Sequence, residues 1–235
     1  MNNSNKMSFF EHLDELRNRM ILSIVVTFLF SIIAYAYSDI IIEMLIKPID
    51  DDRVNLQVLK ITSIFMTKIG VSIIVGILFS FPFIVYQALR FVLPAFKYLT
   101  SKKIIYISIL SLILFIVGLF FGYKVVIPFS TLFFQNLANN MGFIELSYTL
   151  ENYLVYLIWI IIISSLIFQI PFILIVLVKI GLFDVEYIKK NRRYIIVFFF
   201  VIAALLTPPD PISQLLIVLP LYLLFELSLI LLKIF

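Results

Sequence analysis

Long apolar runs separated by short polar segments are the main pattern of this chain. The runs are continuous rather than alternating, and about 20 apolar residues let a helix cross a hydrocarbon core about 30 Å thick. Backbone groups cannot be left unpaired in lipid, so helices are the structures that such runs form. The pattern therefore predicts an all-α bundle in a membrane, with six spans at about residues 20–37, 69–91, 104–122, 153–178, 194–206 and 212–232.

The last two predicted spans are joined by a turn rich in proline, LLTPPDPISQ at residues 205–214. Proline cannot donate to a helix ladder and moves the residue before it out of the helical region. Asp210 then stands as the N-cap of the last helix, with Pro211 at its first position. The fifth span is short, so the pattern predicts a tight hairpin of short fifth and sixth helices.

The tail at residues 1–19 has a helical pattern of its own before the first span. A capping box at its start and one apolar stripe predict a short amphipathic helix on the inner membrane surface, from the residues Ser8, Phe9, Leu13, Leu16 and Met20. Its polar side carries Glu11, Asp14 and Glu15. These carboxylates either pair with an arginine-rich partner or, in the simpler alternative, Glu15 pairs with Arg19 one turn away.

Composition supports a membrane protein: 63% of the residues are hydrophobic, 14% are charged and the mean hydropathy is +1.14. Most Lys and Arg residues fall in the tail, the second and fourth loops and the C-terminus, which predicts that both termini lie on the cytoplasmic, matrix or stromal side. The net charge of +4 therefore reflects topology and requires no nucleic acid. With no Cys and one His, the chain suggests no thiolate site, metal or other cofactor.

Three polar side chains lie inside predicted spans: Gln87, Gln169 and Glu226. Counting 1.5 Å per residue from the outer ends places all three about 21–27 Å down, in the cytoplasmic half. They are expected either to meet around one wet recess or to serve as hydrogen-bonding groups between helices. Three prolines are expected to interrupt the same helices, namely Pro82, Pro171 and Pro220.

Several of these segments, taken in order, resemble the TatC family of the twin-arginine translocase. The resemblance rests on HLDELRNRM (12–20), Pro48, FPFIVYQALRFVLPAF (81–96), FQIP (168–171), KKNRRY (189–194), LLTPPDPISQ (205–214) and PLYLLFE (220–226). It spans nearly the whole chain. It implies a cupped bundle of six helices that acts as a receptor and not as an enzyme.

The family resemblance also implies partners and residue roles. The receptor would bind twin-arginine signal peptides of folded cargo on the cytoplasmic side, recruit single-span TatA and TatB-type proteins, and use the proton motive force. It would assemble in several copies, with Pro48 at the assembly contact. In the signal-peptide site Glu15 would meet the arginines, beside Leu16 and Arg17. Partner helices would dock near Asp210 and Gln214.

The chain departs from the family pattern at two positions. Thr100 or Ser101 stands in the second inner loop where many relatives carry Glu, so either Glu11 or Asp14 would compensate or binding would be weaker. Gln169 stands where Glu is common in the fourth span. An amide keeps the hydrogen bonding but cannot titrate, which would leave any proton-coupled role to Glu226.

Two other classes of protein compete with the receptor interpretation. A small-molecule transporter or channel would also be polytopic, but no internal repeat is evident and only six glycines are present. An intramembrane enzyme lacks a pair of acids or a Ser/His combination within the spans. The turn TPPDPISQ is more similar to bacterial or mitochondrial relatives than to plastid ones, which favours a bacterial or mitochondrial inner membrane over a thylakoid.

Overall fold

A computed structural model describes residues 9–47, 55–92, 101–141, 147–179, 181–206 and 211–234. These residues are almost entirely helical, as the continuous apolar runs predict. The helices are α1 (Phe9–Ala36), α2 (Ser38–Ile46), α3 (Ser63–Val92), α4 (Ser101–Phe121), α5 (Ile127–Met141), α6 (Leu150–Ile167), α7 (Ile170–Lys179), α8 (Val185–Lys190), α9 (Arg192–Leu206) and α10 (Pro211–Ile234). A π-helical turn, Gly122–Val126, joins α4 to α5 without a break.

Four segments of the described chain are long and apolar enough to cross a membrane: Phe10–Ala36, Ser63–Val92, Ile105–Leu137 and Leu150–Val178. They match the first four predicted spans, although the third is longer because the helix continues through the π turn. α9 has 15 residues and α10 has 24, with a shorter apolar stretch at Ile217–Ile230. The all-α polytopic class is confirmed, whereas the count of six spans stays a prediction.

The amphipathic segment near the N-terminus is not a separate helix. α1 runs without interruption for 28 residues, so the predicted recognition residues and the first span lie on one helix. No glycine or proline occurs between Phe9 and Ala36, and nothing in the sequence therefore ends the helix at the start of the span. The predicted capping residue Ser8 lies outside the described residues.

The predicted helix interruptions at proline occur at one of the three positions. α3 continues through Pro82 and α10 continues through Pro220. Only the fourth predicted span breaks, at Phe168 and Gln169, where α6 ends and α7 begins. Pro171 is the second residue of α7, where its missing N–H would have no partner in the first helical turn.

Small residues allow the helices to approach one another closely. A Cβ added to Gly76 of α3 would lie 2.7 Å from the Cα of Ser31 in α1, and one added to Gly118 of α4 would lie 2.7 Å from the Cα of Ser165 in α6. Such contacts between small residues are typical of helix pairs in membranes. α1 accordingly packs mainly on α3, and α4 packs mainly on α6.

The α6–α7 segment lies at the centre of the bundle and α1 lies at its edge. Half of the apolar window in Leu150–Val178 is buried within the protein, against 6% in Phe10–Ala36. The sides of α1 that do not face α3 are therefore available to lipid or to a partner. α9 and α10 pack on each other, and α10 also packs on α7. The proline-rich turn predicted between α9 and α10 lies outside the described residues.

A two-stranded parallel sheet, which the apolar pattern did not predict, joins two loops. β1 (Asn55–Gln57) pairs with β2 (Ser147–Thr149), with Leu56 opposite Tyr148. Burial raises the pKa of the Tyr148 phenol above its ordinary value. Three residues are too few for an alternating pattern to be visible in the sequence. The sheet ties the loop before α3 to the loop before α6.

Candidate functional site at the start of the first helix

The acidic residues predicted for recognition line one pocket beside the first turns of α1. This pocket has a volume of about 490 Å³ and is lined by Glu11, Asp14, Glu15, Asn18, Arg19 and Leu22. We call it the acidic pocket. Its six lining residues include three carboxylates and one guanidinium, because positions three and four apart share a helix face. The structure therefore brings Glu11, Asp14 and Glu15 together.

Glu15 is already bonded to an arginine of its own helix. The Nε atom of Arg19 donates to Oε1 of Glu15 at 2.9 Å, and Nη2 of Arg19 donates to the same oxygen. The remaining nitrogen, Nη1, donates to Oε1 of Gln87 on α3 at 2.9 Å. Of the two alternatives that the sequence left open for Glu15, the pair with Arg19 is therefore formed in the free protein.

The other side of Glu15 faces a histidine that is fixed by an aromatic contact. Nδ1 of His12 lies 3.8 Å from Oε2 of Glu15. The ring of His12 stacks on Phe91 of α3, with 4.2 Å between ring centroids. Arg17 does not line the acidic pocket, and its Nη2 lies 3.6 Å from Oδ1 of Asp14, with both side chains largely exposed.

An apolar groove of about 660 Å³ begins at the same place and follows the contact between α1 and α3. Arg19 and Gln87 contribute polar side chains to its lining, and most of the other lining residues are apolar, among them Leu16, Met20, Ile24, Phe28, Ile73, Ile84 and Phe91. Arg19 lines both this groove and the acidic pocket. The two cavities therefore meet at the Glu15–Arg19–Gln87 cluster.

Gln169 makes its hydrogen bonds at a different helix contact. Its Oε1 accepts from the hydroxyl of Ser111 at 2.8 Å, and its Nε2 donates to the carbonyl oxygen of Ser111 at 3.0 Å. Both side chains are buried between α4 and the break that separates α6 from α7. The amide thus serves as a hydrogen-bonding group between helices, as one of the two alternatives proposed.

Glu226 has a third set of partners. Its Oε1 lies 3.3 Å from Nη1 of Arg192 at the start of α9, and it accepts a hydrogen bond from the Tyr222 hydroxyl at 3.1 Å. The expectation of one shared recess for Gln87, Gln169 and Glu226 is therefore wrong, since each contacts a different partner. Counting residues along a helix gives a position along its axis but not the direction in which each side chain points.

Several predicted positions lie outside the described residues, namely Pro48, Thr100 and Asp210. Gln214 is described and lies half-buried in the first turns of α10. Among the described side chains, no group of three or more His, Asp or Glu is placed to hold a metal ion. Sequence reasoning identified the bond of Arg19 to Glu15 but missed its bond to Gln87, which required the packing of α1 on α3.

Together, the long apolar segments and their close glycine contacts define a multi-pass membrane protein of helical class. Residues 11–220 match the sequence model of the family described as Sec-independent protein translocase protein (TatC). The TatC protein of Carboxydothermus hydrogenoformans is 34% identical over 97% of this chain and 93% of its own. An uncharacterized tatC-like protein of Reclinomonas americana is 34% identical over 94% and 86%, respectively.

A solved structure shows the same fold. The crystal structure of a twin-arginine translocase receptor, TatC, superposes with a TM-score of 0.78 at 32% identity, covering 95% of this chain and 99% of that one. The chain belongs to the TatC family. It is therefore a membrane component of a protein translocase and not an enzyme.

Proposed function

We propose that this protein is the receptor subunit that binds the twin-arginine signal peptides of folded cargo at the acidic pocket. The observation that supports the proposal is the hydrogen bonding of the Glu15 carboxylate. This carboxylate accepts two hydrogen bonds from one guanidinium, so the site is shaped for the group that a signal-peptide arginine would bring. Three carboxylates against one guanidinium give the pocket the charge that attracts such a peptide.

The second arginine of the peptide needs a second carboxylate, and Glu11 is the best placed to supply it. Glu11 and Glu15 are one helical turn apart and both line the acidic pocket. Asp14 also lines this pocket, but it is the neighbour of Glu15 in sequence and therefore lies about 100° around the helix from it. Glu11 would then compensate for Thr100, which stands where many relatives carry Glu. Leu16, at the mouth of the apolar groove, would contact the apolar part of the peptide.

Photo-crosslinking with two peptides tests this proposal directly. Membranes containing the protein are incubated with a signal peptide that carries a photoreactive residue next to its twin arginines, and with the same peptide carrying twin lysines. We expect selective labelling of the first turns of α1 by the arginine peptide, reduced severalfold in Glu11→Gln. Asp14→Asn, the matched control on the same helix, should keep at least half of the labelling. Equal labelling by both peptides would contradict the proposal.

We also propose that single-span TatA and TatB-type partners dock on the α9–α10 hairpin, near Gln214 and Asp210. Four leucines at a spacing of four residues face outward along α10: Leu215, Leu219, Leu223 and Leu227. Such a row forms a ridge against which one further helix can pack. α9 adds an exposed apolar face that includes Val197 and Val201. The transport itself would draw on the proton motive force.

Disulfide crosslinking tests the docking of partner helices, because the chain has no Cys of its own. Leu219→Cys is combined with a TatA-type protein that carries one Cys within its transmembrane helix. We expect a crosslink at this position and none with Ile113→Cys, an equally outward position on α4. Crosslinks of equal yield at both positions would show random collision and contradict a docking site on α10.

The remaining expectations concern assembly and location. We place the protein in a bacterial or mitochondrial inner membrane, for which the turn TPPDPISQ and the relative from Carboxydothermus hydrogenoformans are the support. Several copies would assemble, with Pro48 at the contact. Gln87 and Gln169 already bond to side chains of this protein, so they would hold its helices rather than those of a partner. Glu226 is the carboxylate of α10 that a proton-coupled step could use.

A further inference from the structure

We propose that Arg19 is an internal competitor of the signal peptide: it occupies Glu15 in the free protein and leaves that carboxylate when an arginine of the peptide binds. This inference rests on the proposed receptor function and adds a residue that sets the affinity of the site. It follows from the bonds that Arg19 makes, from its anchoring on α3 and from its position between the two cavities.

The bonds of Arg19 exclude a second guanidinium from the same oxygen. Nε and Nη2 form one edge of the guanidinium plane, and both donate to Oε1 of Glu15. A peptide arginine needs both carboxylate oxygens for a two-pronged bond. The other oxygen, Oε2, lies 3.8 Å from Nδ1 of His12. Full pairing of Glu15 with a peptide arginine therefore requires that Arg19 move away from it.

Gln87 keeps Arg19 in this position. Its amide oxygen accepts from Nη1 of Arg19 at 2.9 Å, and the Gln87 side chain is buried on α3. The arginine is thus held by two helices at once. Only 19% of its side chain is exposed, against 69% for Arg17 two residues earlier. An ordinary surface ion pair one helical turn apart breaks easily. The ion pair of Arg19 with Glu15 is held more firmly, because Gln87 also bonds to Arg19.

Displacement of Arg19 has a consequence for selectivity that can be measured. A peptide arginine must break the bonds of Arg19 to reach both carboxylate oxygens, whereas the single ammonium group of a lysine can bind Oε2 while Arg19 keeps Oε1. Arg19 therefore lowers the affinity for arginine more than the affinity for lysine, and selectivity is the difference between these two affinities. Removal of Arg19 should therefore tighten the twin-arginine peptide more than the twin-lysine peptide.

The experiment measures dissociation constants of fluorescent twin-arginine and twin-lysine peptides on the full-length protein in lipid nanodiscs. For Arg19→Gln we expect the dissociation constant of the twin-arginine peptide to fall about fivefold, in line with a partly sheltered ion pair, and that of the twin-lysine peptide to change by less than about twofold. Gln87→Leu should act in the same direction but less strongly, because it loosens Arg19 without removing it. Thermal unfolding of each variant confirms that it is folded.

A second background separates competition from a simple loss of positive charge. In Glu15→Gln the competitor has no carboxylate to occupy, so adding Arg19→Gln should give no further tightening. Tightening of the same size in that background would overturn the inference, as would unchanged or weaker binding by folded Arg19→Gln. If the intact protein shows no preference for arginine and Glu15→Gln has no effect, the receptor function itself fails. A preserved arginine preference without tightening by Arg19→Gln overturns only the role of Arg19.

Discussion

Replacement of Glu15 with alanine is expected to weaken the binding of a twin-arginine peptide by about 30-fold. A charge-assisted pair contributes about 2 kcal/mol, and 1.4 kcal/mol corresponds to a factor of ten in affinity. Titration of a fluorescent peptide into nanodiscs that contain the full-length protein measures this change.

Asp14→Asn is the matched control for Glu15→Ala. Asp14 lines the same acidic pocket and carries the same charge, but its nearest basic partner is the exposed Arg17 at 3.6 Å. Screened interactions of exposed charges are weak, so we expect a change of less than about threefold. Equal losses in the two variants would mean that the peptide responds to the overall charge of the pocket. Retained affinity in Glu15→Ala would place recognition elsewhere.

Gly118→Ala is expected to destabilise the protein by about 1–3 kcal/mol, the usual effect of an extra methyl group in a packed contact. The new Cβ would lie 2.7 Å from the Cα of Ser165 and 3.0 Å from the carbonyl oxygen of Ser164. Both are backbone atoms, so no flexible side chain can move aside, and α4 must separate from α6. The thermal unfolding midpoint in detergent measures the effect.

Gly70→Ala provides the comparison for Gly118→Ala. Gly70 also lies within a long apolar helix, yet nothing stands within 4 Å of a Cβ added there. Alanine is favoured over glycine in a helix interior by about 0.5–1 kcal/mol, so this variant should be as stable as the original protein or slightly more so. A lower midpoint in Gly70→Ala than in Gly118→Ala would show that close approach of α4 and α6 is not what the glycine provides.

The positions of the long spans could be predicted from the sequence because a run of about 20 apolar residues has few other structures open to it. The end of each helix was harder to predict. The π turn at Gly122–Val126 extends the third predicted span, and neither its glycine nor its flanking residues would signal a stop in lipid. The helix that contains the first predicted span begins earlier, at Phe9, because a charged segment and an apolar one can share a single helix.

In the candidate site, too, a contact within one helix could be predicted from the sequence, whereas contacts between helices could not. The pair of Glu15 and Arg19 could be proposed because positions four apart always meet on a helix. The bonds of Gln87 to Arg19 and of Gln169 to Ser111 join residues 68 and 58 positions apart, and they depend on which sides of two helices face each other. Nothing in a single sequence specifies that rotation. The distant partners had to come from the structure.

The uninterrupted course of α1 makes it a rod that joins the two sides of the membrane. Its 28 residues span about 42 Å at 1.5 Å per residue, with Glu15 near one end and Ala36 at the other. Glu15 and Ala36 lie about 32 Å apart along the helix, so a tilt of about 5° at the acidic pocket displaces the opposite end by about 3 Å, because a continuous helix of this length bends little. α2 begins two residues beyond that end. Binding of a ligand at the acidic pocket can thus move the opposite end of α1.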